Sequence, residues 1–439
     1  MLKSFSPARV LVLIFLFFIT AGALLLMLPF AQNPESAPIG LVDCFFMSTS
    51  AVCLTGLTTV SLAGDFSLFG QLVIMLLIQL GGLGYMTLAT LIALIYGRLP
   101  LKEKLILTEA TNQISFKDIG NFLKKSVKLI LVFESAGALL MFFYFYPKFG
   151  VYRSIYYGVF HSISAFNNAG FSVFPHGFID YSGSLMMLSV IAFLVICGGL
   201  GYIVLLELYN YPSTRKIMLH SKMVLVSTVL FLLVPTLLFF ISEFHNPVTI
   251  GSMGFFHKAL NSFFNVTMAR TAGFSSLNFG YLNSFTLFMM IFLMFVGAAP
   301  GGTGGGVKIT TFTVIISTIY ATLRGRSDVN FFGRRIDEGA IKKSFTVVAI
   351  SMLWIFAAAI ILISIERYNL YDILFETVSA FGTVGLSTGI TSSLTAASKI
   401  MVILTMFIGR LGPLTLGTAI MLSGSGSRVR FPQGKVLVG

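Results

Sequence analysis

Eight long apolar segments, near residues 10–30, 71–97, 127–146, 185–209, 223–242, 285–323, 344–365 and 399–422, constrain this 439-residue chain more than any other feature. About 20 apolar residues suffice for one helical crossing of a bilayer, and lipid accepts only helices and closed barrels. Strands of a membrane barrel alternate apolar and polar residues over about ten positions, a pattern that these unbroken Phe- and Leu-rich runs exclude. Only 10% of the residues are charged, against about 25% in soluble domains. The expectation is an all-α integral membrane protein with eight transmembrane helices. The first segment, Val10 to Leu28, runs into Pro29 without a cleavage signature and reads as a retained span.

Between the first and second, third and fourth, fifth and sixth, and seventh and eighth segments lie shorter stretches, 43–60, 153–173, 256–275 and 371–388. Each is too short to cross hydrocarbon and ends in a turn of small residues. These stretches repeat one another: Leu54-Thr55-Gly56-Leu57-Thr58, Asn168-Ala169-Gly170-Phe171-Ser172, Thr271-Ala272-Gly273-Phe274-Ser275 and Thr383-Val384-Gly385-Leu386-Ser387. Six residues before each central glycine stand Ser50, Ser164, Thr267 and Ser379, and ten before it Phe46, Phe160, Phe263 and Phe375. The glycines are 114, 103 and 112 residues apart, so the repeating unit is a span, a short helix, a glycine turn and a second span. Four such units, 1–98, 99–211, 212–325 and 326–439, fill the chain as four parallel pseudo-symmetric copies around a central pore.

The 29 Lys and Arg set the topology. Most fall in 1–9, 98–128, 210–222, 324–343 and 424–439, which the positive-inside rule places in the cytoplasm with both termini. All four short helices then enter from the external face. The net charge of +13 is spread between spans rather than clustered on a soluble face, so no nucleic acid partner is expected. Cys44, Cys53 and Cys197 form no CxxC pair and read as small buried hydrophobes. The five histidines lack metal-ligand spacing, and neither a nucleophile elbow nor a paired-carboxylate motif appears, so no enzyme is expected.

Irregular backbone at membrane depth must be buried in protein or line a wet cavity. Four related glycine turns can aim their carbonyls at one axis, as in a potassium filter. Glycine suits this because the backbone needs angles that a side chain penalises, and the short helices point their negative ends at a cation. The plainer alternative is that each glycine only caps a re-entrant helix. The hydroxyls at Thr58, Ser172, Ser275 and Ser387 brace the turn or the outer mouth.

Each second span carries a further Gly-rich cluster: Gly81-Gly82-Leu83-Gly84-Tyr85, Gly198-Gly199-Leu200-Gly201-Tyr202, Gly297-Ala298-Ala299-Pro300-Gly301-Gly302-Thr303-Gly304-Gly305-Gly306-Val307-Lys308, and Gly409-Arg410-Leu411-Gly412-Pro413-Leu414-Thr415. With the quintets, these resemble the Trk/Ktr/HKT superfamily of potassium transporters over nearly the whole chain, and most closely the membrane subunit of bacterial Ktr systems. The first unit starts with the first span, which favours the Ktr branch. The resemblance implies potassium uptake across the cytoplasmic membrane, with sodium as stimulant or co-transported ion. It further implies a homodimer in lipid, resting on a cytosolic ring of nucleotide-binding regulatory subunits that alone carry the nucleotide. It assigns the ion-binding backbone to Leu54, Thr55, Gly56, Asn168, Ala169, Gly170, Thr271, Ala272, Gly273, Thr383, Val384 and Gly385.

Six glycines and a proline within Gly297–Gly306 cannot stay an ordinary helix, at about 1 kcal/mol per interior glycine and about 3 for proline. This run reads as an intramembrane loop, which in the family is a gate comprising Gly297, Pro300, Gly301, Gly302, Thr303, Gly304, Gly305 and Gly306 together with Lys308. A kinked, closely packed helix is the alternative. Val307 separates Gly306 from Lys308, so this is not a phosphate-binding P-loop. Lys308 either faces the cavity or reaches the cytosolic surface. Arg410 stands where the first two units carry Gly82 and Gly199, and the family places its arginine below the filter; a tie to a loop carbonyl or to Glu376 is the structural alternative. Arg270 is expected to brace the third turn, and Glu134 and Glu207 to pair or reach for the interface. An alternating-access carrier for sodium or another monovalent cation would need inverted repeats and helices broken at matching places. Parallel repeats with one broken helix favour a gated pore instead.

Overall fold

The computed structural model describes residues 7–96, 116–413, 415 and 417 of the chain. The basic segments at 98–115 and 424–439, the unit boundary at 98/99, and Leu414 of the last glycine motif lie outside the described residues.

The described residues are mostly helical. The first unit holds α1 (Pro7–Leu26), the short α2 (Leu41–Cys53) and α3 (Leu68–Tyr96). In the second, α4 (Phe116–Phe166) carries both the first span and the short helix, turning between them at Gly150. There φ is 71° and ψ −179°, three residues beyond Pro147, so glycine supplies the corner that a helix cannot. Then come α5 (Leu185–Leu200) and α6 (Tyr202–Thr214). The third unit has α7 (Leu219–Glu243), α8 (Phe255–Met268), α9 (Ser284–Phe295) and α10 (Ile309–Leu323), and the fourth α11 (Glu338–Ile365), α12 (Leu370–Gly382) and α13 (Ala396–Leu411). A hairpin of β1 (Asn330–Phe331) and β2 (Arg334–Arg335) joins α10 to α11. Its turn residues Phe332 and Gly333 both have positive φ, as a tight hairpin requires.

Among the described residues, α1, α4, α7 and α11 are each long and apolar enough to cross a membrane, and α5 and α6, bent by 100°, reach that length and apolarity only when taken together. Of the second spans, α3 runs unbroken through Gly81 and Gly82, whereas the other three do not. The expectation of a single broken helix is therefore corrected. The second unit bends at Gly201 (φ 89°, ψ 145°), and α13 stops at Gly412 with nearly the same angles (φ 84°, ψ 137°). The boundary read at 211/212 falls inside α6, which continues to Thr214 and ends on left-handed Arg215.

Small residues let these helices approach. A Cβ on Gly22 would meet Ser48 Oγ at 2.5 Å, and one on Gly137 would meet Ser162 Oγ at the same distance, so α1 and the first half of α4 seat their short helices alike. The two serines donate to the carbonyls of Ile19 and Glu134. Gly81, Gly198 and Gly409 leave no room for a side chain against the carbonyls of Val52, Phe166 and Phe381, each four residues before a central glycine. In the first, second and fourth units these glycines thus dock the helix that follows the turn onto the end of its own short helix. The buried Phe46, Phe160 and Phe375 fill the space behind. The ion pair of Lys399 Nζ with Asp43 Oδ1, 2.6 Å, ties α13 to the first turn of α2.

Candidate functional site

Each short helix runs into a turn with one left-handed residue at the same place. Leu54, Asn168, Thr271 and Thr383, two residues before the central glycines, all adopt positive φ, at 58°, 55°, 75° and 50°. A β-branched threonine there is strained, at about 1–3 kcal/mol, and persists only where its surroundings enforce it. Only Asn168 is of a residue type that favours this conformation; leucine and threonine do not announce it. The enforcing contacts are backbone bonds: Thr55, Ala169 and Val384 each donate to the carbonyl of the residue five positions back, Ser50, Ser164 and Ser379, at 2.8 Å. The hydroxyls of Ser50 and Ser379 accept from the N–H of Gly56 and Gly385 at 3.0 and 3.1 Å. Ser164 instead donates to the Phe171 carbonyl, and Thr267 bonds back within its own helix, to Phe263.

The four turns meet and close on themselves. A Cβ on Gly56 would lie 2.5 Å from the Ala169 carbonyl oxygen and 3.0 Å from Gly170 Cα, and one on Gly170 would lie 2.8 Å from the Ala272 oxygen. One on Gly273 would strike the Val384 oxygen, and one on Gly385 the Thr55 oxygen, both more closely still. The order 56, 170, 273, 385 and back to 56 is a ring. All four glycines have positive φ, from 69° to 92°. All four also line one cavity of about 420 Å³, whose wall includes Thr58, Ser172, Ser275 and Ser387. Three of those hydroxyls brace the chain beyond the turn by accepting the N–H two residues on: Ser172 from Phe174, Ser275 from Leu277 and Ser387 from Gly389.

The Gly297–Gly306 segment is a loop, as expected. Its ends are pinned by a parallel bridge between Val296 and Val307, with Gly297 N–H on the Val307 carbonyl at 2.8 Å. From there it packs against the third and fourth turns. Gly304 and Gly305 leave no space for a side chain beside the hydroxyls of Thr271 and Thr383, and Gly305 N–H donates to Thr383 Oγ1 at 2.9 Å. On the other flank, Ala299 and Thr303 donate to the carbonyls of Gly199 and Gly198. Pro300 occupies the place a Cβ on Gly201 would need, and Tyr202 N–H reaches the Gly301 carbonyl at 3.2 Å. That intrusion is the physical reason for the bend between α5 and α6.

Two cations hold the loop. Lys308, partly buried, donates from Nζ to the Gly304 carbonyl at 2.6 Å. Arg410, 5% exposed, donates to the carbonyls of Thr303 and Gly81, the latter at 2.8 Å, and so joins the loop to the second span of the first unit. Glu376 lies elsewhere, accepting from Thr391 Oγ1. Arg270 departs from expectation. Its guanidinium makes no hydrogen bond among the described residues and lines a small crevice with Gly199, Thr228 and Ala298, so it does not brace the third turn. Glu134 pairs as expected, with Asn167 at 2.9 Å and Gln79 at 3.2 Å, and Glu207 accepts from the backbone of Met218.

A family model described as TrkH, cation transport protein, matches residues 7–428. The chain is 38% identical to the Ktr system potassium uptake protein B of Bacillus subtilis (strain 168), over 99% of this chain and 97% of that protein. It is 35% identical to the protein of the same name from Vibrio alginolyticus, over 98% and 94%. It is also 32% identical to the potassium/sodium uptake protein NtpJ of Enterococcus hirae, over 100% and 98%. The crystal structure of the potassium transporter TrkH from Vibrio parahaemolyticus superposes with a TM-score of 0.75 at 18% identity, covering 93% of this chain and 83% of that one, a likeness of fold.

Proposed function

The chain belongs to the TrkH family of membrane cation transport proteins, and from that premise we propose that it takes up potassium across the cytoplasmic membrane through the ring of glycine turns. The observation that carries this reading is the closed order of Gly56, Gly170, Gly273 and Gly385, each packed on the carbonyl of the next turn. Four parallel span, short-helix, span units would build that ring, with the N- and C-termini cytoplasmic and the 420 Å³ cavity as the outer vestibule. The filter would be the backbone of Leu54, Thr55, Gly56, Asn168, Ala169, Gly170, Thr271, Ala272, Gly273, Thr383, Val384 and Gly385. A dehydrating potassium ion exchanges water oxygens for carbonyls held in place by the covalent backbone and its hydrogen bonds, while the C-terminal ends of the four short helices add a favourable negative potential.

The Gly297–Gly306 loop would be the gate. It lies against Thr271 and Thr383 and is held by backbone bonds and by the side chains of Lys308 and Arg410, polar contacts that can be exchanged for water when the loop moves. Its distal end continues through α10 into a basic segment with Arg324, Arg326, Arg334 and Arg335. That segment suits docking of a cytosolic ring of nucleotide-binding subunits, beneath a homodimer in which each protomer keeps its own pathway. Sodium enters as an accompanying ion, in keeping with the name of the relative from Enterococcus hirae.

The test is ion uptake by cells that lack their own potassium transport and express this chain with a cytosolic ring subunit. Uptake of potassium from dilute medium, exceeding that of sodium, is the expected result. A well-expressed chain that moves neither ion, or moves sodium equally well, contradicts the reading.

A further inference from the structure

We propose that His161, Asn265 and Glu376 are positioning residues that hold three of the four turns from behind, and that the first turn is the compliant quarter of the ring. Each of the three reaches from its short helix across to the chain beyond the glycine. His161 is fully buried, with Nδ1 2.8 Å from the Tyr157 carbonyl and Nε2 3.0 Å from Ser172 Oγ. The carbonyl can only accept, so Nδ1 carries the proton and Ser172 donates to Nε2. Asn265 donates to Ser276 Oγ at 2.8 Å, and Ser276 donates onward to Asn261 Oδ1 at 2.7 Å. Glu376 accepts from Thr391, whose hydroxyl also lies 2.9 Å from Ser387 Oγ. The sequence separations recur: 11 residues for His161 to Ser172 and for Asn265 to Ser276, and 15 for Asn261 to Ser276 and for Glu376 to Thr391.

The first unit has the same helix and turn but no tie of this kind among the described residues. Met47, in the column of His161 and Glu376, is apolar, and Ser48, in the column of Asn265, donates away to Ile19 of α1. On the far side of the glycine, Thr59 Oγ1 is buried without a partner among the described residues, as is Thr55 Oγ1 inside the turn itself. Beyond the glycine, the first turn lacks the side-chain tie that fixes each of the other three. A ring with three fixed quarters and one yielding quarter can adjust its width at Gly56 while keeping the spacing that ranks one ion above another.

The inference rests on the filter reading, and its test separates the two. Potassium and sodium uptake would be measured as a ratio of KM values, on the full chain with its cytosolic partner, for Ser172→Ala, Ser276→Ala, Thr391→Val and Thr59→Val, with Gly385→Ser as reference. Each of the first three variants is expected to lower potassium preference by about two- to tenfold, the range of one net hydrogen bond. Thr59→Val, which removes a hydroxyl with no hydrogen-bond partner among the described residues, is expected to leave the ratio unchanged. Glu376→Gln keeps an acceptor oxygen and should retain the preference that Glu376→Leu loses. If Thr59→Val costs as much as the others, or if the three tied positions are silent while Gly385→Ser abolishes preference, the positioning role is wrong and the filter stands. If Gly385→Ser is silent as well, the filter reading falls with it.

Discussion

Gly385→Ser is expected to lower potassium-over-sodium discrimination by tenfold or more, measured as the ratio of uptake KM values in a variant that reaches the membrane at parental levels. At φ 92° an L-residue is strained, by about 1–2 kcal/mol, and here the new Cβ would also overlap the Thr55 carbonyl oxygen. That oxygen cannot move aside like the end of a flexible side chain, because it belongs to the neighbouring turn. Either turn must shift, and about 1.4 kcal/mol of mis-set geometry is already tenfold in an equilibrium constant. The four positions should not respond equally. Gly170→Ser should be the mildest, since its Cβ would sit 2.8 Å from the Ala272 oxygen, the widest approach of the four. Uniform tolerance at all four would mean that the carbonyls do not select the ion.

Deleting Gly301–Gly305 is expected to raise potassium flux about tenfold and to make it largely independent of the cytosolic partner. The deletion withdraws the loop from Thr271 and Thr383 and removes the Thr303 and Gly304 carbonyls that hold Arg410 and Lys308. Hydrogen bonds to charged groups contribute about 1.5–3 kcal/mol each, so their loss shifts a closed-to-open balance by a factor of about ten or more. Arg410→Ala loosens the same loop from its partner's side, through Thr303 and Gly81, and should move flux in the same direction by less. A shortened protein that folds, binds its partner and carries potassium no faster than the parent would make the loop a packing device.

How far such outcomes are legible in the letters varies along the chain. The quintets announce the site because one turn is written four times, and Gly297–Gly306 announces a loop because no helix tolerates that many glycines beside a proline. The bend in the second unit is not announced. Gly-Gly-Leu-Gly-Tyr occurs identically at 81–85 and 198–202, yet α3 runs on through the first copy while the second breaks at Gly201. The difference is tertiary: Pro300 and Gly301 lie against the second copy, whereas Gly82 of the first is pressed by Asn167. The strained conformation at Leu54, Thr271 and Thr383 is likewise hidden, because neither residue type favours it and only the closing of the ring enforces it. His161 and Glu376 carried a readable sign, since both stand nine residues before a central glycine. Arg270 gave a false one: its place beside the third turn suggested a brace, but its guanidinium makes no hydrogen bond among the described residues and lines the crevice with Thr228.

The central claim, a cation held by the carbonyls of four turns on one axis, is tested most directly by a crystal structure of the protein grown in thallium in place of potassium, read by anomalous scattering. The account predicts an anomalous peak on the axis of the ring, coordinated by backbone oxygens of residues 54–56, 168–170, 271–273 and 383–385, and lost when sodium replaces thallium. A well-ordered ring with no such peak, or a peak only at side-chain oxygens elsewhere in the membrane, would contradict it.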